Sequence, residues 1–226
     1  MSQIPISLLY TTARPQVIDE VVDRWFRGDS TNIDMVVVTD DPYEPPHRRW
    51  PVRYFKNDGR RDCVTGWNLA AQHAIGDIFI QVSDDLFPPV GWESAIRQKI
   101  SRLIEATQRK DIVLNLLDER RQQTAVYHPV LTKSAYEKTA CLYPPDFQSM
   151  FCDNWFFLYH RQYSVYEAGT DVFWHHKHRT THPVEIDEVT RIHEGADRYQ
   201  NGRATLKKYV VEHKLKIPRP RAPDPS

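Results

Sequence analysis

The sequence predicts an α/β fold in which helices flank a mostly parallel sheet. Over residues 1–117, short apolar runs alternate with segments in which apolar side chains recur at helical spacing. Two of these apolar runs end at pairs of aspartates, as expected where strands of one sheet deliver polar groups to a common edge. The length of 226 residues suits one main domain with a sizeable core.

Five apolar runs in the amino-terminal half have the length and composition of buried strands. They cover residues 4–10, 35–38, 52–55, 78–82 and 112–117. Apolar residues at helical spacing predict helices at 15–26, 65–74 and 92–107. Since strand, helix, strand units cross over in one hand, this alternation predicts neighbouring parallel strands.

The carboxyl-terminal half is less regular. It predicts a strand at 126–130, a short helix at 133–139, a helix that begins at Asn154 with Asp153 as its cap, and an extended segment at 172–174. Two further helices are expected around 187–199 and 203–214. Four of the last nine residues are prolines, so 218–226 is expected to be a tail with little structure of its own.

Composition excludes some classes of protein. Thirty basic residues balance thirty acidic ones, so the chain as a whole has no field that would recruit nucleic acid or an anionic membrane. The three cysteines have no CxxC spacing and predict free thiols in a reducing compartment. With no apolar stretch of about 18 residues and no basic leader, we expect a cytoplasmic protein without a membrane segment.

The strongest candidate for chemistry is the pair Asp84 and Asp85, which follows the apolar run 78–82 and precedes two prolines. Aspartates are common in turns, so the pair alone could end a strand in solvent. Two adjacent carboxylates with no basic residue beside them in sequence repel each other unless a cation offsets their charge. We therefore predict a site for a divalent cation.

Histidines are dense near the end of the second half. Four of them lie within eight residues: His175, His176, His178 and His182. A strand here would put His176 and His178 on one face, where imidazoles can bind a metal, whereas the other two can be exposed loop residues. Carboxylates with few nitrogen ligands favour Mn²⁺ or Mg²⁺ over a closed zinc site.

Asp153 lies among aromatic residues, which predicts a raised pKa suited to a general base, although it can equally be a helix cap. Arg14, Arg60 and Arg61 follow predicted turns and can contact phosphate or remain solvated. Basic residues between 203 and 221 can attract a polyanion or form a solvated helix face.

Several motifs, in this order, resemble glycosyltransferases of the GT-A fold, similar to the family 2-type enzymes. They are PISLLYTTARP, VVVTDD, NDGRRDCVTGWNLAAQHAIGD, SDDLFPPVGWE, MFCDNW and HKH, which span roughly residues 4–190. The resemblance implies a Rossmann-like, mostly parallel sheet with an irregular acceptor-side half. It divides a single domain over 1–217 into a nucleotide-sugar-binding half, 1–117, and an acceptor and catalytic half, 118–217.

The resemblance also implies residue roles. Ser83-Asp84-Asp85 matches the Asp-x-Asp metal motif with serine in first place, so Asp85 is the expected ligand and Asp84 a donor contact or second ligand. Asp153 matches the carboxylate that activates the acceptor in an inverting enzyme, and His176 or His178 a later metal or diphosphate contact. The remaining donor-binding residues implied are Thr11, Arg14, Asp40, Asp58 and Asn68.

Together these observations predict a metal-dependent transferase that moves a sugar from a UDP- or GDP-sugar to an acceptor hydroxyl, with inversion. The acceptor can be a glycan, a lipid-linked glycan, a protein or a hydroxylated base in nucleic acid. Two alternatives remain at this level: a metal-dependent nucleotidyltransferase or phosphoesterase, which also needs clustered carboxylates and histidines, and a nucleic-acid-binding module.

Overall fold

A computed structural model describes residues 3–27, 31–45, 49–118, 125–177, 187–193 and 195–218. The strands are β1 (Ile6–Thr12), β2 (Ile33–Thr39), β3 (Val52–Lys56), β4 (Ile78–Val82), β5 (Leu86–Phe87), β6 (Ile112–Asp118), β7 (Val130–Thr132) and β8 (Val165–His176). The α-helices are α1 (Ile18–Trp25), α2 (Cys63–His73), α3 (Trp92–Thr107), α4 (Lys133–Tyr136), α5 (Cys152–Tyr163), α6 (Glu188–His193) and α7 (Ala196–Glu212).

The strands form one sheet in the order β3-β2-β1-β4-β7-β6-β8-β5. β1 pairs in parallel with β2 and β4, β2 with β3, and β6 with β8. β7 is antiparallel to both β4 and β6, so β6 and β8 run in the same direction as β1 and β4. The carboxyl ends of β1, β2, β4, β6 and β8 therefore meet at one edge of the sheet.

Two hydrophobic layers cover the faces of the sheet. Alternate residues of β1 point to opposite faces: Leu8 and Tyr10 pack with α1 and α3, whereas Leu9 packs with α2 and α5. Helices on both faces explain why the central strands are apolar on both sides, which is the pattern that made them recognisable in the sequence.

The connection between α2 and β4 lies very close to β1. A Cβ at Gly76 would lie 2.6 Å from the backbone nitrogen of Ser7, so only glycine allows this connection to approach β1 so closely. The hydroxyl of Ser7 accepts a hydrogen bond from the Gly76 amide at 2.8 Å. This contact sets where β4 begins and therefore where its carboxyl end lies.

The structure corrects several predicted elements in the second half. The strand expected at 126–130 is Val130–Thr132. Pro129 has no amide hydrogen to donate and only its carbonyl pairs, accepting from the Gln81 amide of β4. The helix expected from Asn154 begins at Cys152, which places Asp153 in its first turn and not at its cap. The helix expected at 203–214 is the second part of one helix, Ala196–Glu212, and α6 is separate.

Candidate functional site

The candidate site lies at the edge of the sheet where the carboxyl ends of the strands meet. β1 leads there to Arg14, β4 to Asp84 and Asp85, β6 to Asp118, and β8 to His176. In open α/β sheets this edge is where ligands bind, because loops at strand ends converge there while the rest of each strand is packed. The site thus draws on both halves of the chain.

Asp84 is held by three donors from the end of β1. Its Oδ1 accepts a hydrogen bond from the hydroxyl of Tyr10 at 2.5 Å, and its Oδ2 accepts from Thr12 Oγ1 at 3.2 Å and Arg14 Nη1 at 2.8 Å. Burial raises the pKa of Asp84, although these hydrogen bonds oppose that effect. The sequence has no basic residue beside this pair, but folding brings Arg14 to Asp84.

Arg14 joins Asp84 to a second carboxylate. Its Nε and Nη2 donate to the two oxygens of Asp187 at 2.7 and 2.8 Å, and Nη2 also donates to Thr190 Oγ1 at 3.1 Å. The hydrogen bonds from Arg14 lower the pKa of Asp187, despite some burial. Arg14 thereby links β1, the loop after β4 and the start of α6.

Asp85 faces the other way, towards β8. Its Oδ1 accepts a hydrogen bond from Ser83 Oγ at 2.6 Å, and its Oδ2 lies 3.1 Å from His176 Nε2. β5 pairs with the end of β8, with Leu86 opposite His176, which fixes this approach. Burial opposes ionisation of Asp85, but the hydrogen bond and charge of His176, when that ring is protonated, outweigh burial and lower the pKa of Asp85.

His176 is 3% exposed and is enclosed on its other side. Its Nδ1 lies 2.8 Å from Asp118 Oδ2 and 3.2 Å from His128 Nε2, and the two imidazole rings meet edge to face. Ligand atoms of Asp118, His128 and His176 all lie within 4.8 Å of one another, so this buried group could hold a metal ion.

Sequence reasoning missed Asp118 and His128. Asp118 follows an apolar strand, the same signal that identified Asp40 and Asp84, and could have been found by it. His128 lies inside the segment predicted as a strand, directly before Pro129, with no neighbouring ligand in sequence. Only the pairing of β7 with β4 and β6 brings the chain before β7 beside β8.

The spacing of Asp85 and His176 suits two ligands of one cation. Two ligand atoms at right angles, each bonded at about 2.1–2.2 Å, lie about 3.0 Å apart. The observed 3.1 Å between Asp85 Oδ2 and His176 Nε2 agrees with that value. A carboxylate oxygen and one imidazole nitrogen are donors that Mn²⁺ accepts.

Two of the predicted donor residues lie along α2 and β1. Thr11 packs so closely on α2 that a Cβ at Gly66 would lie 2.0 Å from its hydroxyl oxygen. Asn68 accepts hydrogen bonds from the amides of Leu142 and Tyr143 and donates to the Tyr143 carbonyl. The side chain of Asn68 therefore ties α2 to the segment before α5.

Two further predicted donor residues, Asp40 and Asp58, lie just beyond the ends of β2 and β3. Asp40 accepts a hydrogen bond from Asn57 Nδ2 at 2.8 Å, and its side chain is 10% exposed. Asp58 is 79% exposed and pairs with Lys56 at 3.0 Å. Asp40 is thus fixed in place at the sheet edge, whereas Asp58 projects into solvent.

The two loop arginines have protein partners. Arg60 pairs with Asp62 and donates to the carbonyl oxygens of Pro145 and Phe147. Arg61 donates to Asp41 Oδ1 at 2.6 Å. Arg60 therefore connects the loop before α2 to the segment before α5.

Asp153 is half-buried in the first turn of α5, and its Oδ1 accepts a hydrogen bond from the Asn154 amide at 2.9 Å. Tyr143 connects the segment before α5 to β4. The Tyr143 hydroxyl donates to Gln81 Oε1, and burial, together with the nearby Asp153 carboxylate, raises the pKa of Tyr143. Asp153 lies on α5, which packs with α2 on one face of the sheet.

The remaining histidines divide as follows. His175 is exposed and pairs with Phe87 in the β5–β8 ladder, so its ring points away from that of His176. His178 and His182 lie outside the described residues. The expectation that His178 shares a face with His176 therefore stays a prediction.

Solved structures with the same fold include nucleotide-sugar complexes. The chain is 13% identical to the mannosyltransferase PcManGT from Pyrobaculum calidifontis in complex with GDP-Man and Mn²⁺, with a TM-score of 0.61 over 93% of this chain and 76% of that one. It is 12% identical to S. aureus TarS 1-349 in complex with UDP-GlcNAc, with a TM-score of 0.59 over 92% of this chain and 73% of that one. The predicted GT-A fold is confirmed.

No family model and no curated protein matches the sequence. Within the described ranges, no helix has the length and apolar character needed to cross a bilayer.

Proposed function

We propose that the protein is a metal-dependent glycosyltransferase that moves a sugar from a UDP- or GDP-sugar to an acceptor hydroxyl. The observation that carries the proposal is the approach of Asp85 Oδ2 to His176 Nε2, 3.1 Å apart, at the ligand-binding edge of a GT-A sheet. The solved relatives in fold hold GDP-Man with Mn²⁺ and UDP-GlcNAc, which is the ligand class proposed for this edge.

Asp85 and His176 would hold the cation, Mn²⁺ or Mg²⁺, with His178 as a further predicted ligand. When bound, such a cation stabilises the negative charge that grows on the departing diphosphate. Asp85 suits this role because Ser83 fixes one of its oxygens while the other faces His176 Nε2.

The donor would lie along the ends of β1, β2 and β4. Thr11, Arg14 and Asp40 are proposed to contact the nucleoside, and Asp58 and Asn68 to border the pocket. Asp84 accepts from three β1 donors, so we assign it the task of holding Arg14 and the end of β1 in place against the donor. A direct contact of Asp84 with ribose would need one of these hydrogen bonds to open.

Asp153 is proposed as the general base. The acceptor oxygen forms a bond to the anomeric carbon, the bond from that carbon to the diphosphate oxygen breaks, and the acceptor proton passes to an oxygen of Asp153. Attack from the face opposite the leaving group inverts the anomeric centre. Support comes from the half-buried position of Asp153 in the first turn of α5, a helix that covers one face of the sheet.

We further propose that residues 1–117 serve the donor and residues 118–217 the acceptor and catalysis within one domain. The cysteines are free thiols, which favours the cytoplasm as the place of action. The acceptor remains among the glycan, lipid-linked glycan, protein and hydroxylated nucleic-acid classes named above.

The buried group of Asp118, His128 and His176 also supports a second candidate, a metal-dependent phosphoesterase or nucleotidyltransferase. The two reactions release different products. A glycosyltransferase that acts on water or an acceptor frees a nucleoside diphosphate from a nucleotide sugar, whereas a phosphoesterase also cleaves nucleotides that carry no sugar.

The test is incubation with Mn²⁺ and a panel of nucleotide sugars that includes GDP-mannose and UDP-N-acetylglucosamine, with nucleoside diphosphate release as the readout. We expect metal-dependent release from at least one donor. Asp85→Ala should lose metal-dependent donor binding, whereas Asp153→Asn should keep binding and lose about 10²- to 10⁴-fold in transfer rate.

Asp111→Asn is the matched control, because Asp111 is a buried aspartate at the opposite end of β6, paired with Arg109 and Lys138. It should leave donor binding and transfer unchanged. No diphosphate release with any donor, together with no shift in melting temperature on adding Mn²⁺ and a nucleoside diphosphate, would contradict the proposal. Equal loss of donor binding in Asp85→Ala and Asp153→Asn would contradict the assigned roles.

A further inference from the structure

Asp118 and His128 both contact the same nitrogen of His176, the one that faces away from Asp85. The distances from His176 Nδ1 are 2.8 Å to Asp118 Oδ2 and 3.2 Å to His128 Nε2. All three residues are less than 9% exposed. A buried imidazole that is contacted on each nitrogen has a defined tautomer, and the contacts determine which one.

The two carboxylates compete for the proton of a neutral His176. Asp118 Oδ2 is closer, at 2.8 Å against 3.1 Å for Asp85 Oδ2, and its side chain is 6% exposed against 35% for Asp85. A shorter hydrogen bond in a less solvated place is the stronger one. The proton of the neutral ring therefore belongs on Nδ1, and the lone pair of Nε2 faces Asp85.

We infer that Asp118 is a positioning residue, which holds the proton of His176 on Nδ1 so that Nε2 is ready to bind a cation beside Asp85. The inference rests on the cation site of the proposed function. A metal-binding histidine commonly donates its other ring hydrogen to a carboxylate, which orients the ring and raises its strength as a ligand. His128 packs edge-on against the ring, with centroids 4.4 Å apart, and limits its rotation.

Without Asp118, the neutral ring would gain most by placing its proton on Nε2 and donating to Asp85. That proton would occupy the lone pair needed for the cation. Asp118→Ala leaves Asp85 and His176, the ligands proposed for the sheet-edge cation, in place, and should still weaken Mn²⁺ binding by about 10- to 100-fold. Asp118→Asn offers an amide oxygen to the same hydrogen and should recover part of this loss.

The test has two readouts on the full chain. Nitrogen-15 NMR of labelled histidine, at a pH where His176 is neutral and without metal, should show the proton on Nδ1 in the native protein and on Nε2 in Asp118→Ala. Titration with MnCl₂ alone, followed by electron paramagnetic resonance, should give the expected loss of affinity, with partial recovery in Asp118→Asn.

Two variants serve as controls for the loss of a buried polar side chain. Asp111→Asn removes a buried carboxylate from the other end of the same strand, and His160→Gln removes a buried histidine from α5. Neither should change the tautomer of His176 or Mn²⁺ affinity. Circular dichroism spectra of every variant should match that of the native protein before affinities are compared.

A proton on Nε2 in the native protein would overturn the inference, and so would unchanged Mn²⁺ affinity in a folded Asp118→Ala variant. If the native protein binds no Mn²⁺, the cation site of the proposed function fails and the inference fails with it. If Mn²⁺ binds and depends on Asp85 while the tautomer is the opposite one, the proposed function stands and this inference alone fails.

Discussion

His160 and His176 are two buried histidines with opposite surroundings. His160 lies in α5 among Trp155, Phe156 and Tyr159, with Ser164 Oγ 2.9 Å from its Nδ1. His176 lies at the end of β8 between the carboxylates of Asp85 and Asp118. The two imidazoles are similarly buried. The apolar surroundings of His160 favour its neutral form, whereas the carboxylates around His176 suit it to bind a cation.

The difference follows from position in the sheet. α5 covers the face of the sheet, where side chains pack against apolar layers, whereas the end of β8 reaches the edge where polar strand ends converge. A buried histidine is therefore a functional candidate because of the groups around it, and burial by itself does not make it one.

The largest effect is expected on metal affinity, which substitution of His176 should lower and substitution of His160 should leave unchanged. His176→Gln removes a proposed ligand and should weaken Mn²⁺-dependent donor binding by more than about 100-fold, since even outer contacts of a metal site are worth 10- to 100-fold. Isothermal titration with MnCl₂ and GDP or UDP measures this loss. His160→Gln, the matched change in the apolar site, should bind as the native protein does, and a comparable loss there would remove the distinction.

The next prediction concerns stability against pH. Burial lowers the pKa of His160 to about 3, so the unfolded chain, with a pKa of about 6.5, binds a proton more readily than the folded one. The stabilising effect of the neutral ring is complete above pH of about 6.5 and decreases as the pH falls towards 3. When the pH is lowered from 7 to 5, we expect His160 to reduce the free energy of unfolding by about 2 kcal/mol.

Urea unfolding of the native protein and His160→Gln at both pH values measures this contribution. The variant should lose less stability over the same interval, because glutamine takes up no proton. Identical pH dependence of the two proteins would show that His160 does not carry the effect.

A smaller effect is expected at Arg14, on the β1 side of the carboxylate pair. Arg14→Gln leaves Asp84 with hydrogen bonds from Tyr10 and Thr12 but without the guanidinium group that pairs with it. Because both side chains are partly solvated, we expect a loss of about 1–2 kcal/mol, less than for a fully buried pair. Thermal unfolding measures it, and Mn²⁺ affinity should change less than in His176→Gln.

The smallest effect is expected from Ser164→Ala, which removes the hydroxyl beside His160 Nδ1. A buried ring nitrogen without its partner costs about 1 kcal/mol or slightly more. Urea unfolding at neutral pH should show the loss, with donor binding unchanged. A loss of donor binding would mean that the apolar site around His160 communicates with the sheet edge.

The regular amino-terminal half could be predicted closely from sequence. The strand Ile78–Val82 and the helix Trp92–Thr107 lie where apolar periodicity places them, because local pattern and burial agree there. The second half was predicted less well. β8 is twelve residues long and extends beyond the predicted segment 172–174, because it pairs along its length with β6. The helix from Ala196 is continuous and packs against α5, which local pattern alone did not indicate.

The sequence by itself determined the fold class and the carboxylates at the end of β4, because a continuous apolar run followed by Asp84 and Asp85 is a local pattern. Only the tertiary structure decided how that pair divides. Arg14 pairs with Asp84, whereas His176 approaches Asp85 and is itself contacted by Asp118 and His128. All four of these residues lie 33 or more positions from the pair in sequence. Such partners are brought together by strand order, which no local spacing records.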